Sequence, residues 1–451
     1  MLGARIGTEV NKMSNRTAVF GIKKAAVCLV RFFVAVLAGA VLVVSSGCSG
    51  ISLDIEDLMK PPALTERQKA IQSALEKAIG SNDYQLKRPK LGEERSAFVF
   101  ADINADGVEE VLLFYSTDES EEAQLNILQS NGDKWISTYN VSGAANDVAS
   151  INFAKLVNGS ETNIIIGWYN TNLNVKTLEA YRYSDSSLEK IFAMEYDEMS
   201  IVDVTGEGIE DILLLSEDGR VILVSELNGQ LLKFGEVNLG SEVDEYLKLT
   251  EGKLEINKKA LFIDYRLPSG EISSEVVYYS QQKLSTLLGT MGAQLPKREE
   301  GYCEDINGDG ITEIPYQKLL PGYSSGDEVR MYITEYMRAY EDGLVSVLAV
   351  LRDKEERFIF KLPQIWKNNI TVIVESENSE WSVKEYIDRR AGEELLRIKV
   401  MRKGAYKDVF EDNYRLIGEG SGYEYYMFTP ENTSSIAVSF EECKNNFVIL
   451  K

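Results

Sequence analysis

Histidine is absent from this chain of 451 residues. That excludes Ser-His-Asp and Cys-His catalysis, imidazole acid–base chemistry and His-ligated zinc or iron. A Gly322-Tyr-Ser324-Ser-Gly326 stretch therefore has no base to activate its serine and reads as a loop. Basic charge is also short: 48 Lys and Arg face 71 Asp and Glu, a formal net charge of −23. Such a surface repels nucleic acid and anionic headgroups and attracts divalent cations. Cysteine is scarce, four in all: Cys28, Cys48, Cys303 and Cys443. One long uncharged apolar run occurs, at 32–44, too short to span a bilayer.

That run lies in the only basic part of the chain. Residues 1–47 hold six Lys or Arg and one Glu. Arg16, Lys23, Lys24 and Arg31 precede the apolar core, which ends at Ser45-Ser46-Gly47-Cys48. A basic region, a short apolar core and small residues are the marks of an export signal. The ending resembles the lipobox of bacterial lipoproteins, although Ser45 stands where that family usually has an aliphatic residue. The resemblance implies cleavage before Cys48, its acylation, and a chain anchored by lipid outside the cytoplasm. Two acyl chains anchor stably where one is marginal. Cys28 then leaves with the signal; Cys303 and Cys443 remain, either paired or as buried thiols.

What the chain has in place of catalytic histidine is a repeated acidic loop. It reads Asp102-Ile-Asn104-Ala-Asp106-Gly107-Val-Glu-Glu110, then Asp203-Val-Thr205-Gly-Glu207-Gly208-Ile-Glu-Asp211, then Asp305-Ile-Asn307-Gly-Asp309-Gly310-Ile-Thr-Glu313. First residues lie 101 and 102 positions apart. Oxygen-bearing side chains at positions 1, 3 and 5 converge in a tight turn, Gly at 6 permits the bend, and a carboxylate stands at 9. An EF-hand is excluded, because it needs a bidentate Glu at position 12 and flanking helices. Position 12 is Leu113, Leu214 and Tyr316, and apolar runs of strand length follow the first two loops.

A nine-residue Asp-rich loop between strands resembles the VCBS/FG-GAP repeat of integrin-type β-propellers. The resemblance implies structural Ca2+ held by side chains 1, 3, 5 and 9 and by carbonyl 7. By position these are Asp102, Asn104, Asp106, Val108 and Glu110; Asp203, Thr205, Glu207, Ile209 and Asp211; and Asp305, Asn307, Asp309, Ile311 and Glu313. The second loop departs most, with Thr205 and the longer Glu207.

Local signals agree with a mainly β chain. Around the second loop, apolar segments at 200–202, 212–215, 221–224 and 231–234 are separated by that loop, Asp218-Gly219 and Asn228-Gly229. Asn-Gly and Asp-Gly favour two-residue hairpins, so these segments form a four-stranded meander, one propeller blade. Asn131-Gly132 acts similarly in the first repeat. Degenerate loops are expected between the acidic ones, near 154 and 254, giving five to six blades over 96–351, with Pro315 interrupting a strand of the last. Earlier, 63–95 holds an amphipathic helix opened by Thr65-Glu-Arg-Gln68 and ended at Gly80, preceded by a tether over 48–62. A small α+β domain is expected over 352–451, with strands near 358, 370 and 395, helices near 403 and 432–446, and core roles for Trp366 and Trp381. Gly418-Glu-Gly420-Ser-Gly422 precedes a strand, so it is read as a hairpin turn, not a phosphate loop.

The expected function is a lipid-anchored extracytoplasmic module for binding or adhesion. Its partners are the membrane, through the lipid, and a protein or glycan ligand; nucleic acid is excluded. It is expected not to be an enzyme. The alternatives are a carboxylate-dependent enzyme on cell-envelope polysaccharide and a purely structural envelope component.

Overall fold

A computed structural model describes residues 64–450, apart from 133, 159–161, 185–186, 257, 291–296, 341–342, 356, 376–378 and 406–412. The signal, the tether, Cys48 and the helix expected near 403 lie outside the described residues, the last in the main. Contacts divide the chain into two units, Met1–Arg67 and Gln68–Lys451. Helix α1 spans Glu66–Ile79. Its spacing buries Ile71 and Leu75, and Gly80, at φ +70°, ends it by donating to Glu76 O at 2.9 Å. No helix among the described residues is long and apolar enough to cross a membrane.

Among its described residues the second unit is mainly β, in six antiparallel sheets that follow chain order except that the last strand returns to the fifth. Sheet one contains β1 (Gln85–Lys87), β2 (Phe98–Ala101), β3 (Glu110–Ser116), β4 (Gln124–Asn131) and β5 (Lys134–Ser142); β1 and β2 share one edge of β3. Sheet two is β6 (Asp147–Ala154), β7 (Asn163–Asn170), β8 (Val175–Ser184) and β9 (Ser187–Tyr196). Sheet three is β10 (Glu198–Val202), β11 (Asp211–Leu215), β12 (Arg220–Leu227) and β13 (Gln230–Asn238). Sheet four is β14 (Glu245–Glu255), β15 (Lys258–Arg266), β16 (Ile272–Ser280) and β17 (Lys283–Thr286), followed by the single turn α2 (Leu287–Thr290) and by β18 (Lys297–Arg298), which pairs with β16.

Sheet five is β19 (Ile314–Leu319), β20 (Tyr332–Tyr340), β21 (Gly343–Arg352), β22 (Phe358–Lys361) and β28 (Phe447–Ile449). Sheet six holds β23 (Ile370–Glu375), β24 (Glu380–Ile387), β25 (Arg390–Arg402), β26 (Arg415–Glu419) and β27 (Tyr423–Phe428), in the order 23-24-25-27-26. The expected meander is present, although Asp218-Gly219 lies in a four-residue connection, Ser216 to Gly219, rather than forming a two-residue turn. Asn228 and Gly229 both take positive φ, as a tight two-residue turn between right-twisted strands requires.

Each sheet packs its faces on its neighbours in sequence. Ile164, Ile166 and Trp168 of β7 join the core shared with sheet one, while Ile165 joins the core shared with sheet three. On β11, Ile212 and Leu214 face sheet two, whereas Leu213 and Leu215 face sheet four. On β15, Leu261 and Ile263 turn one way, Ala260 and Phe262 the other, towards sheet five. Burial on both faces is why these runs are continuously apolar rather than alternating. A fifth core lies between sheets five and six. None of these five cores joins sheet six to sheet one among the described residues.

Three expectations need correction. Near 254 there is no nine-residue loop: β14 turns tightly into β15, with Glu255 opposite Lys258. The boundary placed at 352 runs through a sheet, since β22 pairs with β21 across it, and β28 pairs with β22. The segment beyond it is also strand-rich rather than α+β, with one six-residue helix, α3 (Phe440–Asn445), among its described residues. Trp366 and Trp381 are core residues there, and Pro315 sits within β19, an edge strand of sheet five that the isolated Glu304–Glu313 bridge precedes. Cys303 and Cys443 are buried free thiols in different cores.

Candidate functional site

Each acidic loop leads into a strand: from β2 to β3 in sheet one, from β10 to β11 in sheet three, and, closed by the isolated Glu304–Glu313 bridge, into β19 of sheet five. One hydrogen bond defines them. The carboxylate at position 9 accepts the backbone N–H seven residues earlier: Ile103 to Glu110 at 3.1 Å, Val204 to Asp211 at 2.9 Å, Ile306 to Glu313 at 3.3 Å. In sheet two, Asn163 Oδ1 takes the Leu156 N–H at 3.0 Å. This is the degenerate copy, keeping the closing bond without a charge. Counting back from Asn163, position 1 is Lys155, so a cation stands where the others have Asp.

The aspartate at position 1 binds the far side of each loop. Asp102 accepts from Asp106 N at 3.1 Å and Gly107 N at 2.9 Å; Asp305 accepts from Gly308, Asp309 and Gly310 N at 2.8–3.0 Å. Asp203 accepts from Gly206 N at 2.7 Å and Gly208 N at 3.2 Å. Gly107, Gly208 and Gly310 all have φ near +85°, which an L side chain rarely adopts. Position-7 residues differ: Val108 is exposed, while Ile209 and Ile311 bury their side chains.

The loops differ in what meets the position-9 carboxylate from the next strand. One rung beyond Val111–Leu128, Gln129 Nε2 reaches Glu110 Oε1 at 3.4 Å. One rung beyond Ile212–Val224, Ser225 Oγ donates to Asp211 Oδ1 at 2.5 Å. One rung beyond Ile314–Met337, Arg338 Nη2 donates to Glu313 Oε1 at 2.8 Å and also binds Asp309 Oδ2. Gln129, Ser225 and Arg338 are partners of the loop carboxylates that loop spacing alone does not find.

The electrostatics follow. Glu110 is 2 % exposed, and burial lifts its carboxyl above the usual range, partly offset by the Ile103 N–H. Its partners are neutral: Ile103 N, Gln129 and Asn104 Nδ2, the last at 3.1 Å. Burial also raises Asp211, but Val204 N, Thr205 N and Oγ1, and Ser225 Oγ already occupy both its oxygens. Lys259 Nζ lies 3.4 Å from Asp203, and Glu207 is exposed. In the third loop Arg338 holds Asp309 below its ordinary range. Burial raises Glu313 despite the same guanidinium.

Whether these donors fit a divalent cation is therefore answered loop by loop. As arranged, no three acidic or cysteine side chains converge on a metal position among the described residues. The carboxylates are turned instead to loop amides and protein cations. In the first loop a cation would displace only neutral donors, and it would meet a buried carboxylate with no ion pair. In the second, a cation would have to displace the four hydrogen bonds that occupy both Asp211 oxygens. In the third, a cation would compete with Arg338.

A second concavity lies elsewhere, between the first strands of sheets two, three and four. Its volume is about 510 Å3, and Glu93, Glu94, Glu210 and Glu251 line it beside Phe153 and Met199. Desolvation lifts the Glu251 carboxyl, and the Ser200 hydroxyl, 3.2 Å away, partly offsets this.

No family model and no curated protein matches the chain. Among solved structures, rhamnogalacturonan lyase PL11 of Bacillus licheniformis is similar at 10% identity and a TM-score of 0.31, covering 67% of this chain and 74% of its own. A protein from Lactobacillus plantarum is similar at 11% identity and a TM-score of 0.29, covering 67% and 85%. Likeness at this level carries no functional argument.

Proposed function

We propose that the six sheets are blades of a β-propeller of VCBS/FG-GAP type, that the first acidic loop binds calcium, and that the chain is a lipid-anchored extracytoplasmic binding or adhesion module. The observation that carries this reading is the closing bond from position 9 to the N–H seven residues earlier, made at the entry to β3, β7, β11 and β19. Three of them keep carboxylates at 9 and Asp at 1. Asp102, Asn104, Asp106, the Val108 carbonyl and Glu110 would hold the ion, which would neutralise a buried carboxylate and tie the two strands together. The missing histidines and the acidic surface favour binding over catalysis.

Extracellular calcium modules bind with Kd of about 10⁻⁴–10⁻³ M. One such site adds roughly 0.4–1.4 kcal/mol at about 1 mM calcium. The test is calorimetry and thermal melting of the full chain in chelator and in titrated calcium. A calcium-dependent rise that Asp102→Asn abolishes supports the reading; identical melts with no heat of binding refute it.

A second reading is favoured by the glutamate-lined cavity. A carboxyl lifted by desolvation beside other carboxylates is the arrangement a general acid on a glycan needs. Turnover of envelope polysaccharide that Glu251→Gln abolishes would replace the binding module with the enzyme.

A further inference from the structure

We infer that Arg338 is the cation of the third loop, taking the place that the resemblance gives to calcium, and that the residue facing position 9 from the next strand decides whether such a loop needs a metal. The inference deepens the calcium reading and rests on it only for the first loop.

The geometry is the same rung in all three sheets, so the three residues can be compared directly. Gln129 brings an amide, Ser225 a hydroxyl and Arg338 a guanidinium to the same carboxylate. Arg338 alone reaches two loop carboxylates, Asp309 and Glu313, at positions 5 and 9. Those are two of the side chains a bound ion would need. Glu313 is fully buried, and the Arg338 side chain is 19% exposed, so the pair is shielded from water. A guanidinium is always charged and offers several donors in a fixed plane, so one side chain can neutralise two carboxylates without dehydrating an ion. A divalent cation would have to break both contacts and leave Arg338 beside a second positive charge. The first loop presents no such obstacle, because its rung partner is neutral.

The experiment counts bound calcium on the full chain by calorimetry, with terbium luminescence as an independent count. Asp305→Asn should leave the wild-type count unchanged. Arg338→Gln copies the rung of the first loop and should raise the count by one, and adding Asp305→Asn should remove that ion. Arg338→Lys keeps the charge and should gain none. Gln129→Arg, the reverse exchange, should weaken calcium at the first loop by at least about tenfold. It also serves if Arg338→Gln does not fold. A wild-type count that falls with Asp305→Asn overturns the inference, as does a folded Arg338→Gln protein that gains no ion, or unchanged affinity in Gln129→Arg. Failure of the calcium reading looks different: the wild type then binds no ion while Arg338→Gln binds one.

Discussion

Replacing Arg298 with methionine should be among the most damaging single changes in this chain. Arg298 on β18 and Asp264 on β15 are an ion pair at 2.5 Å with both side chains fully buried. Asp264 also accepts the Cys303 N–H at 2.9 Å and the Ser274 hydroxyl at 2.6 Å, and Arg298 Nε donates to Gly301 O at 2.8 Å. The network thus fixes the segment that leads into the third loop. Arg298→Met fills similar volume but leaves a carboxylate buried without its cation. Stranding one partner of a buried pair costs about 3–5 kcal/mol. With m of about 3 kcal/mol/M, the urea midpoint should fall by roughly 1–2 M at unchanged slope. Asp264→Asn keeps an acceptor for Cys303 N and removes the charge, so the double variant should be more stable than the sum of the singles, with coupling of about 0.5–3 kcal/mol. Equilibrium urea unfolding followed by tryptophan fluorescence measures all four. An unmoved midpoint in Arg298→Met, or strict additivity in the double variant, would refute the reasoning.

Glu110→Gln should alter the pH profile of stability. Burial lifts the Glu110 carboxyl, so the folded state keeps its proton to higher pH than the unfolded chain. The associated stability is present below the unfolded value, about 4.3, and is lost as pH rises through the folded value. Melts in chelator should therefore fall less from mildly acidic to neutral pH in the variant than in the parent. Phe262→Ala, emptying a fully buried site between sheets four and five, should cost about 3–5 kcal/mol by urea titration. Gly143→Ala places a Cβ 2.4 Å from the Trp168 ring and should cost about 1–3 kcal/mol in the same assay. Mass spectrometry of the native protein should find Cys48 acylated at a new N-terminus, and an unmodified Cys48 inside a longer chain would remove the anchor.

Much of this architecture is legible locally. Strand runs such as Ile164-Ile-Ile and Ile212-Leu-Leu-Leu, and turns such as Asn228-Gly229, carry their conformations within a few residues. The acidic loops are equally local, nine residues each. What decides the chemistry of those loops is not. Gln129, Ser225 and Arg338 lie 19, 14 and 25 positions beyond the carboxylates they meet, and only strand register brings them there. The degenerate loop before Asn163 was visible as a spacing, but its closing bond was not. The Asp264–Arg298 pair spans 34 residues, and its network reaches Cys303 at 39, with no motif to announce it. Near 254 the spacing misled, because a period set by neighbouring sheets says nothing about which turn joins two strands.

The pairing of β28 with β22 has a consequence for the order of events during synthesis. The first four sheets are each complete once their own consecutive segment exists, so they can assemble one after another as the chain emerges. Sheet five cannot. Its outer strand is Phe447–Ile449, and the whole of sheet six, with the Trp366 and Trp381 core, is threaded between β22 and that strand. The edge of β22 therefore waits unpaired until residue 449 is made, and the apolar face of residues 314–361 stays uncovered until sheet six, which ends at Phe428, has formed. A chain stalled or clipped between 375 and 400 would expose both at once, while its earlier sheets stayed intact. Such a fragment is the form in which this protein should first aggregate or be captured by a protease.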